Sequence, residues 1–159
     1  MEFSLSSEQE MLIESARAFA ENELYPHEAE VEKSDSVSPD LAQKIRERAI
    51  EMGFYAANMP EDLGGGGLDC VSLSLVEREL GRANFALQYL VGRPSNILQA
   101  CVGEQRDHYL FPCIRGEKTD CLAMTEPGAG SDLRSMQCRA DVDGDDYVIN
   151  GTKHFISHA

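Results

Sequence analysis

Between Met124 and Asp132 the chain reads Met-Thr-Glu-Pro-Gly-Ala-Gly-Ser-Asp. Thr125 and Ser131 bring hydroxyls, Glu126 and Asp132 bring carboxylates, and Gly128 and Gly130 bring backbone without side chains. A turn needs only one glycine for a positive φ. Two around Ala129, with hydroxyls on both sides, also let a flat or anionic ligand approach the main-chain N–H groups. Two readings fit these residues: a glycine-rich connector between strands, or an edge that bonds polar ring atoms or phosphate oxygens. The apolar run Cys121-Leu122-Ala123-Met124 just before it reads as a short buried strand.

Other candidate chemistry is thinner. Gly64 to Gly67 are consecutive, but no Gly-Lys-Ser/Thr follows, so a flexible entry loop is the reading rather than a phosphate loop. The cysteines at 70, 101, 113, 121 and 138 are odd in number and never two residues apart as C-x-x-C. They read as buried or free thiols in a reducing compartment, with no disulfide frame or zinc site. His154 and His158 share a face in an extended segment with no neighbouring cysteine or carboxylate. Arg93, amid apolar residues, reads as paired with a carboxylate or snorkelling outward. A net charge of -14 disfavours nucleic acid and anionic membrane as partners. No basic leader and no apolar run of spanning length is visible.

The elements that must position these residues fall into two regimes. Ser6, with Gln9 completing a capping box, opens a helix striped by Leu12, Ala16, Phe19, Ala20 and Leu24. Tyr25-Pro26 ends it or starts another, and Glu28 to Lys33 forms a short polar helix. Ser38-Pro39 caps a helix through Ile45 and Ala49 that closes at Gly53. Asp69 caps the next, which runs to Gly81. Asn84 to Gly103 is expected to be the most buried helix, kinked at Pro94, and Glu104 to Arg115 the last, ending about Pro112. Beyond Gly116 the helical period stops. Met136, Cys138, Ala140 and Val142 alternate as in a half-buried strand, Asp143 to Asp146 is a hairpin turn, and Tyr147 to Asn150 and Thr152 to Ser157 read as strand again. The fold class expected is α+β. An all-α bundle over 1–116 precedes the beginning of an antiparallel β domain over 117–159, which reads as truncated at Ala159.

Five stretches give this pattern a family. Phe3-Ser4-Leu5-Ser6-Ser7-Glu8-Gln9, Met59-Pro60-Glu61-Asp62-Leu63-Gly64-Gly65, Val76-Glu77-Arg78-Glu79-Leu80-Gly81, Met124 to Asp132, and Ile149-Asn150-Gly151-Thr152-Lys153 occur in one order and spacing. Together they resemble the amino-terminal portion of the acyl-CoA dehydrogenase flavoproteins. The resemblance implies a helical domain, a middle β domain and a carboxy-terminal bundle, of which this chain spans the first and about half of the second. It implies FAD as cofactor, an acyl-CoA thioester as substrate and a trans-2-enoyl-CoA as product. Electron-transfer flavoprotein is the implied acceptor, and a homodimer or homotetramer the implied assembly. The implied location is the cytoplasm, or the mitochondrial matrix in a eukaryote.

Carried over by residue, Leu122, Met124, Thr125, Gly130 and Ser131 would line the flavin. Thr125 would donate its hydroxyl to the ring edge, and Ser131 would meet a cofactor or CoA phosphate. Phe155 would cover a ring face where relatives often have Trp, with Ile156 and Ser157 beside it. The catalytic glutamate would lie beyond Ala159, so Glu126 takes no proton-abstracting role. The chain alone is expected to be inactive and to hold FAD weakly. The helix expected at Asn84 to Gly103 would form part of the acyl pocket floor, and Arg93-Pro94 suggests a polar or branched acyl group. Oxidases, monooxygenases and nitroalkane oxidases share the motifs. Some relatives of the same fold bind DNA, against which the charge argues, and a protein–protein module is the remaining alternative.

Overall fold

A computed structural model describes residues 4–157. Phe3 at the start of the first family stretch, His158 and Ala159 lie outside the described residues. The chain divides into two compact units, with the division after Lys118.

The first unit is helical, and its helices begin where local chemistry starts them. Helix α1 (Ser7–Phe19) opens on a capping box: Ser6 Oγ accepts from the Gln9 N–H and Gln9 Oε1 accepts from the Ser6 N–H, each at 3.1 Å. The backbone continues past Phe19 through a π turn, Ala20–Leu24, and a 3-10 turn, Tyr25–His27, into α2 (Glu28–Ser34). The Tyr25-Pro26 junction is therefore a change of helical pitch within one path. Helix α3 (Pro39–Glu51) starts on the Ser38 hydroxyl, and Gly53 follows it at φ +74°. Helix α4 (Cys70–Leu80) starts on Asp69, whose carboxylate accepts from the Val71 and Ser72 amides.

Helices α1 and α4 pack together, and the core gathers Ala16, Phe19, Leu24, Ile45, Val76 and Leu87. Phe19 meets Phe54 edge to face at 5.4 Å. On the rim of this interface Glu79 is buried beside three half-exposed arginines. Its two oxygens accept from Arg17 and Arg82 at 3.0 Å and from Arg78 at 2.9 Å. The Arg17 hydrogen bond, then those of Arg82 and Arg78, pull its carboxyl from 4.5 down to about 2 against the opposing effect of burial.

Two expectations in this unit are corrected. Gly65 to Gly67 form no flexible loop: their amides donate to the carbonyls of Pro60, Ala56 and Met59. A β-carbon on Gly65 would stand 2.3 Å from the Met59 carbonyl oxygen, so the glycines are there for close packing. Nor is Asn84 to Gly103 a buried, kinked helix. It breaks into α5 (Phe85–Gln88), a 3-10 turn Tyr89–Val91 and another at Asn96–Ala100, with Phe85, Ile97 and Val102 exposed. Gly92 takes φ +80° against the Tyr55 ring, and Arg93 precedes a proline that disfavours helical backbone. Asn58 pins the segment beyond, donating to the Pro94 carbonyl and to Asn96 Oδ1 at 2.8 Å. Arg93 is ion-paired with Glu77 at 2.9 Å, the pairing its composition suggested. The last helical stretch contains a π turn, Arg106–Leu110, leading into α6 (Phe111–Ile114) with Pro112 in its first turn.

The second unit holds an antiparallel hairpin of β1 (Arg139–Asp143) and β2 (Asp146–Asn150), in the register Val142 opposite Tyr147 and Ala140 opposite Ile149. Gly144, at φ +64°, makes the two-residue turn possible. Both strands are exposed along their whole length, not half-buried: the face of Ala140, Val142, Tyr147 and Ile149 has the expected alternation but no covering layer among the described residues. Cys121 to Met124 is exposed and outside any strand, since it forms no strand ladder among the described residues. Thr152 to Ser157 does not resume as a strand because Phe155 takes φ +57°, which turns the backbone out of the pleat. No disulfide occurs among the described residues; Cys70 and Cys121 are exposed. No described helix is long and apolar enough to cross a membrane.

Candidate functional site

Glu126 organises the glycine stretch. Its own backbone bridges Ala129: the Glu126 N–H donates to the Ala129 carbonyl at 2.9 Å and the Ala129 N–H returns to Glu126 at 3.1 Å. The bridge closes the Pro127-Gly128 turn and buries Ala129. The Glu126 side chain points back and is buried too, where it accepts three hydrogen bonds: from the Gln137 amide at 2.7 Å, the Cys138 amide at 3.0 Å and Lys153 Nζ at 2.8 Å. The Gln137 amide contributes most, with Lys153 next, and the carboxyl falls from 4.5 to about 2. One carboxylate thus ties the turn to the start of β1 and to the segment after β2.

That segment is fastened a second time. Lys153 Nζ also donates to the Met124 carbonyl at 3.2 Å, and the His154 N–H donates to the Thr125 carbonyl at 2.8 Å. Met124-Thr125 and Lys153-His154 therefore lie side by side. Phe155 follows with its ring stacked on His154 at 4.0 Å and is 84% exposed. Leu122 and Met124 are exposed as well, and Thr125 is half-buried. A β-carbon on Gly128 or Gly130 would meet nothing within 4 Å, so the space over this edge is open. Ser131 and Ser157 are exposed and Ile156 is half-buried. Asp132 is used locally: its carboxylate accepts from the Arg134 amide and the Ser135 hydroxyl, forming a turn.

The structure brings Met124 and Thr125 to the Lys153–Phe155 segment through the Lys153 ammonium on the Met124 carbonyl and the His154 N–H on the Thr125 carbonyl. It does not place Gly130 and Ser131 in any bonded contact with them. The anchoring role of Glu126 and Lys153 was missed in the sequence. The signal was present in two of the family stretches, as a carboxylate just after an apolar run and a lysine 27 residues later.

The arrangement suits a planar, partly apolar ligand. The segments so joined carry an exposed aromatic, two exposed aliphatic side chains and a hydroxyl, next to a glycine turn with open space over Gly128 and Gly130. It does not suit proton abstraction by Glu126, because a carboxylate held near 2 by three donors is a weak base.

Comparison with known proteins gives the chain a family. The family model for the acyl-CoA dehydrogenase N-terminal domain matches residues 6–117, and that for the middle domain of the same enzymes matches residues 121–159. A 3-(aryl)acrylate reductase of Clostridium sporogenes is 36% identical over 159 residues, covering 97% of this chain and 41% of the relative. The short-chain specific acyl-CoA dehydrogenase of Bos taurus mitochondria is 34% identical, covering 94% of this chain and 37% of the relative. Among solved structures, an acyl-CoA dehydrogenase from Bacillus anthracis complexed with FAD superposes with a TM-score of 0.76 at 33% identity, over 96% of this chain and 27% of that one. The chain spans about two-fifths of the length of these curated relatives. With both domain models aligned in order over two structural units, the chain is a member of the acyl-CoA dehydrogenase family.

Proposed function

We propose that this chain provides the flavin-contacting edge of an FAD-dependent enzyme that converts an acyl-CoA thioester to its trans-2-enoyl-CoA. The observation that carries the reading is the bond from the His154 N–H to the Thr125 carbonyl, which joins the segment that ends in exposed Met124 and Thr125 to the segment that carries exposed Phe155. Exposed apolar side chains are costly in water and are stabilised by a ring that covers them. FAD, when bound, supplies the acceptor for the hydride lost from the β-carbon.

The chain's own residues position and shield. Thr125 donates its hydroxyl to the polar edge of the ring. Leu122, Met124 and Ile156 contact its apolar part, and Phe155 covers a face and excludes water from it. Gly130 lines the flavin, the Ser131 hydroxyl serves a cofactor or CoA phosphate, and Ser157 adds a hydroxyl near the ring. None of the described residues is assigned the proton-abstracting role. The working division is a helical part over 1–116 and a flavin-contacting part over 117–159. The full-length enzyme acts as a homodimer or homotetramer and passes electrons to electron-transfer flavoprotein; the 159 residues alone turn over no thioester. Its compartment is the cytoplasm, or the mitochondrial matrix in a eukaryote.

Anaerobic addition of acyl-CoA thioesters to the flavin-loaded, full-length protein tests this. Bleaching of the visible flavin bands with appearance of enoyl-CoA is expected. A flavin that no thioester bleaches would overturn the substrate assignment and favour an oxidase or monooxygenase of the same fold.

A further inference from the structure

Glu126 and Lys153 lie inside the site but are assigned no ligand of their own. Glu126 is 7% exposed and its carboxylate bonds main-chain N–H groups on the far side of the turn, so it offers no surface to a ring. Lys153 Nζ is committed to three acceptors: the Glu126 carboxylate, the Met124 carbonyl and, at 3.7 Å, the Met136 sulfur. Its side chain is about a quarter exposed. The bond to the Met124 carbonyl is the informative one. It draws the main chain immediately before Thr125 toward the ammonium, while the His154 amide holds the carbonyl of Thr125 itself. The main chain of Thr125 is thereby fixed from both sides, and neither bond uses its hydroxyl.

We infer that the Glu126–Lys153 ion pair is a positioning clamp for the flavin: Glu126 orients the ammonium, the ammonium fixes the Met124 carbonyl, and Thr125 is held where its hydroxyl meets the ring edge. The inference rests on the flavin reading given above. Without the clamp, the backbone at 124–125 keeps the His154 bond and a local one from the Met124 N–H to the Leu122 carbonyl at 3.3 Å, and samples several orientations, which weakens a directional hydrogen bond more than it weakens apolar contact. Lysine serves here through three rotatable donors, which reach acceptors in different directions. Arginine can replace its charge, and methionine only its stem.

Lys153→Met, Lys153→Arg, Glu126→Gln and the double variant Glu126→Gln/Lys153→Met, made in the full-length protein, test the clamp. Three readouts are needed: FAD dissociation constant, the visible absorption of bound flavin, and amide exchange protection of the hairpin at 139–150. Lys153→Met is expected to weaken FAD binding about tenfold, the loss of one charge-assisted hydrogen bond, and to shift the flavin bands. Hairpin protection should stay intact, Lys153→Arg should restore much of the affinity, and the double variant should bind no worse than the weaker single one. Unchanged affinity and spectrum in Lys153→Met would overturn the clamp while leaving the flavin reading standing. Loss of hairpin protection together with flavin would also overturn it, by making the pair a folding element. Single-variant losses that multiply in the double variant would show two independent roles and overturn it as well. If the wild-type protein takes up no FAD, the flavin reading itself fails, and the clamp with it.

Discussion

Two buried carboxylates carry the residue-level electrostatics, one in each unit. Glu79 is 3% exposed and faces Arg17, Arg78 and Arg82; Glu126 faces Lys153 and two amides. Both carboxyls are depressed from 4.5 to about 2. A depressed carboxyl stabilises the fold above its unfolded value and loses that contribution as pH falls through the folded one. Urea unfolding followed by circular dichroism should therefore show stability declining from about pH 4.5 toward about pH 2. Glu79→Gln should remove part of that slope and cost about 1–2 kcal/mol near neutrality, the arginines being half-exposed and readily hydrated. An unchanged acid slope in the variant would contradict the pairing. None of this was legible in the sequence. Val76 to Gly81 stood out as a family stretch, but Arg17 is 62 positions from Glu79 and only folding brings them together.

At the scale of elements, starts were legible and continuations were not. Ser6 with Gln9, Ser38 with Pro39, and Asp69 each announced a helix, because capping is a property of a few adjacent residues. The Asp143 to Asp146 turn was legible for the same reason. The apolar run from Asn84 onward looked helical since hydrophobicity alone does not show where the backbone must turn. Gly92 decides it: its φ of +80° and its contact with the Tyr55 ring leave no room for a β-carbon, which would stand 1.8 Å from Tyr55 Cε2. Gly92→Ala should accordingly destabilise the helical unit by about 2 kcal/mol or more, combining backbone strain with overpacking. A melting temperature equal to wild type would mean the turn is readily remodelled. Phe155 erred in the other direction. An aromatic in an apolar, alternating segment favours strand, yet φ +57° places it in the left-handed region and turns it toward solvent.

For the molecule as a whole, family membership was the most legible feature, because it rests on five short stretches whose spacing survives misjudged elements. The bonds that build the candidate site were not legible in the sequence. Thr125, Met124 and Phe155 could be named from the motifs, whereas the carboxylate and ammonium that bind those segments together became visible only in three dimensions. The hairpin's exposed face of Val142, Tyr147 and Ile149 was likewise beyond the sequence, since alternation predicts which side is apolar and not whether anything covers it.

The central claim is that the edge formed by Met124, Thr125 and Phe155 receives a flavin. Its most direct test is uptake of FAD by the full-length protein, followed by gel filtration and absorption spectroscopy, with Phe155→Ala and Thr125→Ala beside the wild type. The account predicts a yellow, stoichiometric complex for the wild type and weaker retention for both variants. A colourless wild-type protein that takes up no FAD would contradict it.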